Sequence, residues 1–340
     1  MTVLLDVRDL RVRFRSQGVV RALLQGERDP FIDAVCGVSF QLEEGRTLGL
    51  VGESGSGKST IARAIMGLTP VHGGAVRFGS RELVGLPHRH YAPVRREMAM
   101  MFQDPVGSLS PRQTVRALIT EPFRIHGLHR EKDLDAEAAR LLTMVGLSPD
   151  FGRRFPHQLS GGQARRVGVA RALALDPKVI IADEPTAGLD VSVQGEVLNL
   201  LARLQDDLGL SMLIITHNLN VVRHITDRMA IMYLGRLVET GPTHEVFHTP
   251  RHPYTEALLA ANPEPNPDAR HARIELRGEI PSLMNRPSGC EFHNRCVYAQ
   301  ETCTHLAPAV SAAGPGHAYT CHFPLNTGGC GVGAKLQTGS

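Results

Sequence analysis

GESGSGKST, Gly52 to Thr60, is the stretch whose reading decides the fold. It follows the apolar run TLGLV and opens an apolar-periodic helix beginning at Ile61. Gly52, Gly55 and Gly57 let the backbone turn tightly, so that successive N–H groups point into one concavity at the positive end of the following helix. Lys58 adds a mobile charge for β- and γ-phosphates, and Ser59 a hydroxyl for Mg²⁺. Ser54 and Thr60 complete the expected phosphate-contacting set. A plain Gly/Ser turn would explain the glycines, but not the strand before them and the helix after. The stretch predicts a nucleoside triphosphate site.

Working outward, the run KVIIADEP supplies what a phosphate loop lacks. Asp183 ends an apolar strand where it can hold Mg²⁺ through the ion's water shell, and the adjacent Glu184 can orient or deprotonate the water that attacks the γ-phosphate in line. An Asp-Glu pair capping a helix is the alternative; Pro185 and the strand before it argue against that. VIIAD and SMLIITH are continuous apolar runs of strand length, separated by an amphipathic helix through Val193, Val197, Leu200, Leu201 and Leu204. Strands apolar on both faces and alternating with helices predict an α/β core, a parallel sheet covered on both sides.

The N-terminal portion to about Glu44 alternates apolar and polar residues, as in LLDVRDLRVRF and AVCGVSFQL, which predicts a small antiparallel sheet with an insertion at Ser16–Asp33. The section from Asp104 to Leu175 reads as mainly helical, with Ala138, Leu141, Leu142 and Val145 on one face of a helix ending at Gly146. The chain has 340 residues, is 42% hydrophobic and carries a formal charge of +3, too little to argue for nucleic acid. Its longest apolar runs fall far short of a bilayer span, and charges stand in MTVLLDVRDLRVRF where a signal peptide needs apolar residues. A cytoplasmic protein is expected.

LSGGQ, Leu159 to Gln163, lies between the phosphate loop and VIIADE and resembles the signature of the ATP-binding cassette superfamily. Gln103 in MFQDP, AGLD ending at Asp190 and His217 in ITHN follow in the family's order, so the resemblance spans residues 1 to about 260. It implies a P-loop ATPase core (1–260) with an N-terminal antiparallel β subdomain and a helical signature subdomain (about 104–175). Ser160, Gly161, Gly162 and Gln163 precede or open a helix, where a hydroxyl and backbone N–H groups would face an anion. In the family that anion is the γ-phosphate on the opposite subunit's phosphate loop, so two subunits meet head to tail around two ATP molecules. The resemblance assigns Gln103 to sensing Mg²⁺ and the attacking water, and His217 to the γ-phosphate. Phe14 sits where the family often places the adenine-stacking aromatic, in preference to Phe31, although Phe14 also fits an alternating strand.

MFQDPVGSLSPRQTV, DEPTAGLDVSVQGEVLNLL, MYLGRLVETGP and HPYTEALLAANP extend the resemblance to nearly the whole chain and narrow it to the ATPase subunits of bacterial peptide importers, which handle dipeptides, oligopeptides or, in some members, nickel. TLGLVGESGSGKST and the insertion before Ala34 resemble the second of two non-identical ATPase subunits. Ala164 and Asn218 depart from the usual residues without touching a phosphate-contacting position. The resemblance implies ATP and Mg²⁺ as ligands. It also implies a second cassette subunit, two membrane permeases and an extracytoplasmic peptide-binding protein as partners, at the cytoplasmic face of the bacterial inner membrane. A soluble cassette ATPase of translation or DNA repair usually carries two cassettes or a coiled-coil insertion, and a regulatory subunit would lack Glu184 or His217.

Of six cysteines, Cys290, Cys296, Cys303 and Cys321 cluster in a region expected to form a C-terminal extension at 261–325, before a flexible tail at 326–340. Their spacing is neither that of a zinc ribbon nor that of a bacterial ferredoxin, and disulfides are disfavoured in a reducing cytoplasm. Four thiolates can hold a soft metal centre, with His293, His305, His317 and His322 as alternative ligands. The segment resembles the peptide-importer tail that in some members binds a [4Fe-4S] cluster; zinc and unliganded thiols are the other readings. Cys36, in an apolar strand pattern, is expected in the core.

Overall fold

The computed structural model describes residues 2–15, 31–104, 107–261, 278–279 and 281–327. Two long strands, β1 (Val3–Arg15) and β2 (Phe31–Glu43), pair antiparallel, and with β4 (Gly73–Phe78) and β5 (Arg81–Glu82) form a sheet of order β2-β1-β4-β5. The remaining strands are β3 (Thr47–Val51), β6 (Met98–Met101), β7 (Val179–Asp183), β8 (Ser211–Thr216), β9 (Arg228–Tyr233), β10 (Arg236–Pro242), β11 (Ser311–Gly314) and β12 (His317–Tyr319). They form an eight-stranded sheet of order β11-β12-β10-β9-β3-β8-β7-β6.

That sheet is parallel only from β9 through β6; β10, β12 and β11 extend it antiparallel. The expected parallel core is present in those five strands, and three antiparallel strands extend it into a mixed sheet. Leu234 and Gly235 alone join β9 to β10, with φ of 41° and 82°. Two residues with positive φ make a hairpin turn, whereas a parallel return needs a crossover of a dozen or more residues.

The helices are α1 (Lys58–Ile65), α2 (Ala92–Glu97), α3 (Val115–Ile125), α4 (Leu134–Met144), α5 (Gly161–Leu173), α6 (Val191–Leu208), α7 (Leu219–Ile225), α8 (Thr243–His248), α9 (Pro253–Ala260) and α10 (Glu301–His305). Successive strand residues face opposite sides of a sheet. Ile180, Ala182, Met212 and Ile214 accordingly join the core formed with α3, α4, α5 and α6. Val179, Ile181, Leu213 and Ile215 join the core under α1 and the antiparallel sheet. Both faces of β7 and β8 are fully buried, which is why their sequences read as unbroken apolar runs.

Ala138, Leu141, Leu142 and Val145 are buried together, and Val197, Leu200, Leu201 and Leu204 line the inner face of α6. Val193 is only half-buried, lying against Gly162. Cys36 is half-buried rather than a core residue, because β2 presents it beside a cleft near β10. Of the insertion read at 16–33, residues 31–33 already belong to β2 and 16–30 lie outside the described residues; so does most of the tail read at 326–340.

Candidate active site

The carboxyl ends of β3, β7 and β8 lie in register, with Val51 beside Thr216 and Asp183 beside Ile215. The phosphate-loop segment, Glu184 and His217 therefore leave the sheet side by side, at the end where open α/β sheets bind ligands. Gly57 precedes α1 with φ 104°, and a Cβ there would come within 2.4 Å of the Ala34 carbonyl oxygen. No other residue type fits this approach without displacing β2.

Lys58 is 6% exposed, and its ammonium folds onto its own loop, donating to Gly52 O at 2.7 Å, Glu53 O at 2.8 Å and Ser56 Oγ at 3.3 Å. Burial pushes its pKa down, against the opposing pull of Glu184, Asp183 and Glu53. Ser54 and Gly55 are exposed at the loop tip, Gly52 is buried, and Ser59 and Thr60 are half-buried at the start of α1.

Ser59 Oγ donates to Asp183 Oδ1 at 3.0 Å. Burial pushes the Asp183 carboxyl pKa up; the Ser59 hydrogen bond lowers it and the Glu184 charge raises it further. A buried carboxylate beside a second carboxylate and a hydroxyl gives hard oxygen donors in an excess of negative charge. That donor set fits Mg²⁺, and a bound cation would hold Asp183 ionised.

Glu184 stands in the left-handed region at φ 50°, which costs a non-glycine residue on the order of 1 kcal/mol. Its amide donates to Ile215 O at 2.8 Å and its carbonyl accepts from Ala187 N at 3.1 Å, so both neighbours hold it there. The turn sends its carboxylate to the end of β8. Oε1 lies 2.7 Å from His217 Nδ1 and accepts from His217 N at 3.2 Å, while Oε2 accepts from Thr216 Oγ1 at 3.2 Å. Nδ1 is thus the ring nitrogen that faces Glu184, and Nε2 is turned away from it. The Glu184 side chain is almost buried; that of His217 is 61% exposed.

Gln103 follows β6 and is exposed. Its carbonyl is reached by Arg165 of α5, a residue that the sequence reading passed over. Arg165 is 2% exposed, and its guanidinium donates to Gln103 O at 3.4 Å, Glu184 O at 3.5 Å and Ala187 O at 2.7 Å. One buried cation thus ties the signature helix to three carbonyls on two loops around the site, one after β6 and one after β7. The signal available was an arginine on a helix whose neighbours Ala164, Val167, Val169 and Ala170 are all small or aliphatic.

The signature residues bond within their own segment of the chain. Ser160 caps α5: its Oγ accepts from Gln163 N at 3.3 Å, and its own amide donates to Gln163 Oε1 at 3.1 Å. Ser160 and Gly161 are exposed, and Gly162 packs on Val193. Asp190 is exposed and caps α6, accepting from Val193 N at 2.9 Å. Phe14 is 42% exposed opposite Ile32, near the end of the β1–β2 ribbon; the next residue pair, Arg15 and Phe31, brings a guanidinium to 5.6 Å from the Phe31 ring centre.

The cysteine cluster is the expectation that fails. Cys290, Cys296, Cys303 and Cys321 do line one cavity, but it encloses about 10 Å³, no more than a single water needs, between Pro253, Phe292, Tyr298 and Phe323. Burial raises the pKa of Cys290, that of Cys296 to about 11 and that of Cys321 to about 12, so in this apolar lining the polypeptide itself supplies no charge that would stabilise a thiolate. His293 and His322 line the same cavity, each with one ring nitrogen against a backbone carbonyl, and His317 is held by a carboxylate. His293 Nδ1 lies 2.8 Å from Cys290 O, His322 Nε2 2.8 Å from Leu306 O, and His317 Nε2 2.8 Å from Glu239 Oε1. Among the described residues no group of three or more His, Cys, Asp or Glu is placed to hold a metal ion. The iron–sulfur and zinc readings are withdrawn.

Two family profiles match the chain: ABC transporter at residues 35–187, and oligopeptide/dipeptide transporter, C-terminal region, at 238–303. The oligopeptide transport ATP-binding protein AppF of Bacillus subtilis is 43% identical over 323 residues, covering 94% of this chain and 97% of that protein. OppF of Salmonella typhimurium, described in the same words, is 45% identical over 322 residues, covering 94% and 96%. Among solved structures, the ATP-binding cassette MJ0796, a dimer bound to ADP and Pi, superposes with a TM-score of 0.61 at 27% identity, over 70% of this chain and 98% of that one. The cassette cbiO1 from Clostridium perfringens gives 0.62 at 26%, over 73% and 92%. Matched nearly end to end by such relatives, and carrying both family regions in order, the chain belongs to the oligopeptide transport ATP-binding proteins of the ABC transporter family.

Proposed function

We propose that this chain hydrolyses ATP to power peptide import, as a peripheral subunit at the cytoplasmic face of a bacterial inner membrane. The observation that carries the reading is the convergence of Lys58, the Ser59–Asp183 pair and the Glu184–His217–Thr216 cluster at three adjacent strand ends. The amides of Gly55 to Thr60, with Lys58, hold the β- and γ-phosphates; Phe14 stacks on the adenine. Bound Mg²⁺ supplies electrostatic stabilisation of the transferring phosphoryl group. Ser59, Asp183 and Gln103 are the residues that would hold it. Glu184 positions and deprotonates the attacking water, and His217, fixed by its bond to Glu184, reaches the γ-phosphate.

Ser160, Gly161, Gly162, Gln163 and Asp190 act on the nucleotide of a second cassette. The exposure of Ser160, Gly161 and Asp190, and the capping bonds that Ser160 makes with Gln163 and Asp190 with Val193, support that assignment. ATP closes the head-to-tail pair and hydrolysis reopens it. We assign residues 1–260 to the cassette, about 104–175 to its helical subdomain and 261–325 to a C-terminal extension. The partners are a second, non-identical cassette subunit, two membrane permeases and an extracytoplasmic peptide-binding protein. No helix among the described residues is long and apolar enough to cross a membrane, so the permeases provide the passage.

The test is gentle detergent extraction of the tagged chain from its native host and identification of every co-purifying protein, followed by ATP-driven peptide uptake in vesicles reconstituted with them. Permeases, a second cassette and a binding protein, with uptake lost in Glu184→Gln, are expected. Recovery with ribosomes or DNA would overturn the transport assignment.

A further inference from the structure

The phosphate loop contains an acidic residue, Glu53, between Gly52 and Ser54. A carboxylate on a loop that must receive a polyphosphate is an electrostatic liability unless a cation holds it. The cation comes from 242 residues further along the chain. Arg295 Nη1 donates to Glu53 Oε2 at 2.7 Å and Nη2 to Oε1 at 2.9 Å, the two-pronged geometry in which guanidinium and carboxylate bind most firmly. The Arg295 side chain is 5% exposed and that of Glu53 20%, so water screens the pair little.

The packing around the pair explains its position. Arg295 ends a short turn at His293–Arg295, beginning just after the buried Phe292, which packs edge-on against Tyr233 and tilted against Tyr254 with ring centres 5.3 Å apart in each case. The Tyr254 hydroxyl accepts from the Glu53 amide at 3.1 Å. Glu53 is therefore gripped at its carboxylate by Arg295 and at its amide by Tyr254, both from beyond the strands of the nucleotide core. Its remaining polar group, the carbonyl, accepts from Lys58 Nζ at 2.8 Å. Lys58, in turn, feels the Glu53 charge.

We propose that Arg295 is a positioning residue for ATP, reaching the nucleotide site through Glu53. It neutralises the carboxylate inside the phosphate loop and fixes the carbonyl that aims Lys58, so that the C-terminal region sets nucleotide affinity without touching nucleotide. This inference rests on the ATP-binding reading above. It predicts that losing Arg295 harms ATP binding because Glu53 is left charged, so the harm should depend on Glu53.

The experiment is a double-mutant cycle on the full-length protein, reading the Kd of a fluorescent ATP analogue with Mg²⁺ and the Tm of each variant. Arg295→Met should weaken binding about tenfold, the equivalent of about 1.4 kcal/mol. In a Glu53→Gln background the same change should weaken it by less than about threefold, since no charge is then left unpaired. Arg295→Lys keeps the charge but loses the fork, and should fall between wild type and Arg295→Met. An equal loss in both backgrounds, or none in either, would overturn the proposal and leave Arg295 as a strut between lobes. Should Arg295→Met fail to fold, Arg295→Lys in the two backgrounds gives the same reading. Lys58→Ala separates this from the parent assignment: binding by wild type that Lys58→Ala does not weaken would sink the ATP site itself.

Discussion

The nucleotide site and the cysteine cavity each gather reactive side chains, and they differ in what surrounds those side chains. At the first, nearly every polar group is answered: Ser59 by Asp183, Glu184 by Thr216 and His217, Lys58 by three acceptors. At the second, four thiols face Pro253, Phe292, Tyr298 and Phe323 around a space of about 10 Å³. Burial is common to both. Partners make the difference, because a buried ionisable group keeps its charge only where neighbouring charges or hydrogen bonds offset desolvation.

The largest effect expected from that contrast is at Glu184. Glu184→Gln keeps the shape and the Thr216 bond but removes the base, so turnover of the assembled complex should fall on the order of 10²–10⁴-fold while ATP affinity is retained. Steady-state ATPase rates together with equilibrium nucleotide binding check this. An undiminished rate would remove Glu184 from its role and, with it, the claim that the first cluster is catalytic.

Arg165 comes next, because the polar site depends on a cation that the sequence reading did not single out. Arg165→Met leaves the carbonyls of Gln103, Glu184 and Ala187 without that donor, which should cost about 1–3 kcal/mol in denaturant unfolding. Since it also frees the backbone at Glu184, kcat should fall more than KM rises. Loss of stability with unchanged kcat would reduce Arg165 to packing.

A pH measurement sharpens the other side of the contrast. His252 lines the cysteine cavity and is fully buried, which lowers its pKa from 6.5 to about 3. Between those values the unfolded chain binds a proton there and the folded chain does not. Its stabilising effect is therefore complete above pH 6.5 and is lost as pH falls, at up to about 1.4 kcal/mol per pH unit. His252→Asn preserves an acceptor for the Tyr254 amide, which His252 Nδ1 now caps at 3.0 Å. Unfolding free energies from pH 6.5 to 5 should fall less steeply in the variant; parallel slopes would mean that the cavity is wetter than its lining implies.

The nucleotide site was legible where its residues are contiguous. Gly52 to Thr60 and Asp183–Glu184 each state a local geometry, and the apolar runs of β7 and β8 state a strand buried on both faces. Arg165 and the Glu53–Arg295 pair were not legible, since each bridges segments that only the tertiary fold brings together. The antiparallel extension of the main sheet was missed for a different reason. β11 and β12 have four and three residues, too few for a two-residue period to show. For the cysteines, sequence reported their grouping correctly and their chemistry incorrectly, because spacing carries no information about the dielectric around a thiol.

The smallest expected effect is at those cysteines, and it decides whether the contrast holds. Protonated thiols in an apolar cavity contribute packing alone, so Cys296→Ala should cost about 1 kcal/mol, as the loss of a partly buried sulfur does. Protein purified without oxygen should then show no visible absorption from iron–sulfide charge transfer, and prolonged chelation should leave its Tm unchanged. A metal centre predicts the opposite on every count, since ligand binding energy becomes folding energy: colour, a chelator-sensitive Tm and a large penalty for any one ligand. Colour lost in Cys296→Ala would mean that the cavity is a collapsed form of a larger site, and that thiolates at this position are stabilised by a charge the polypeptide does not itself supply.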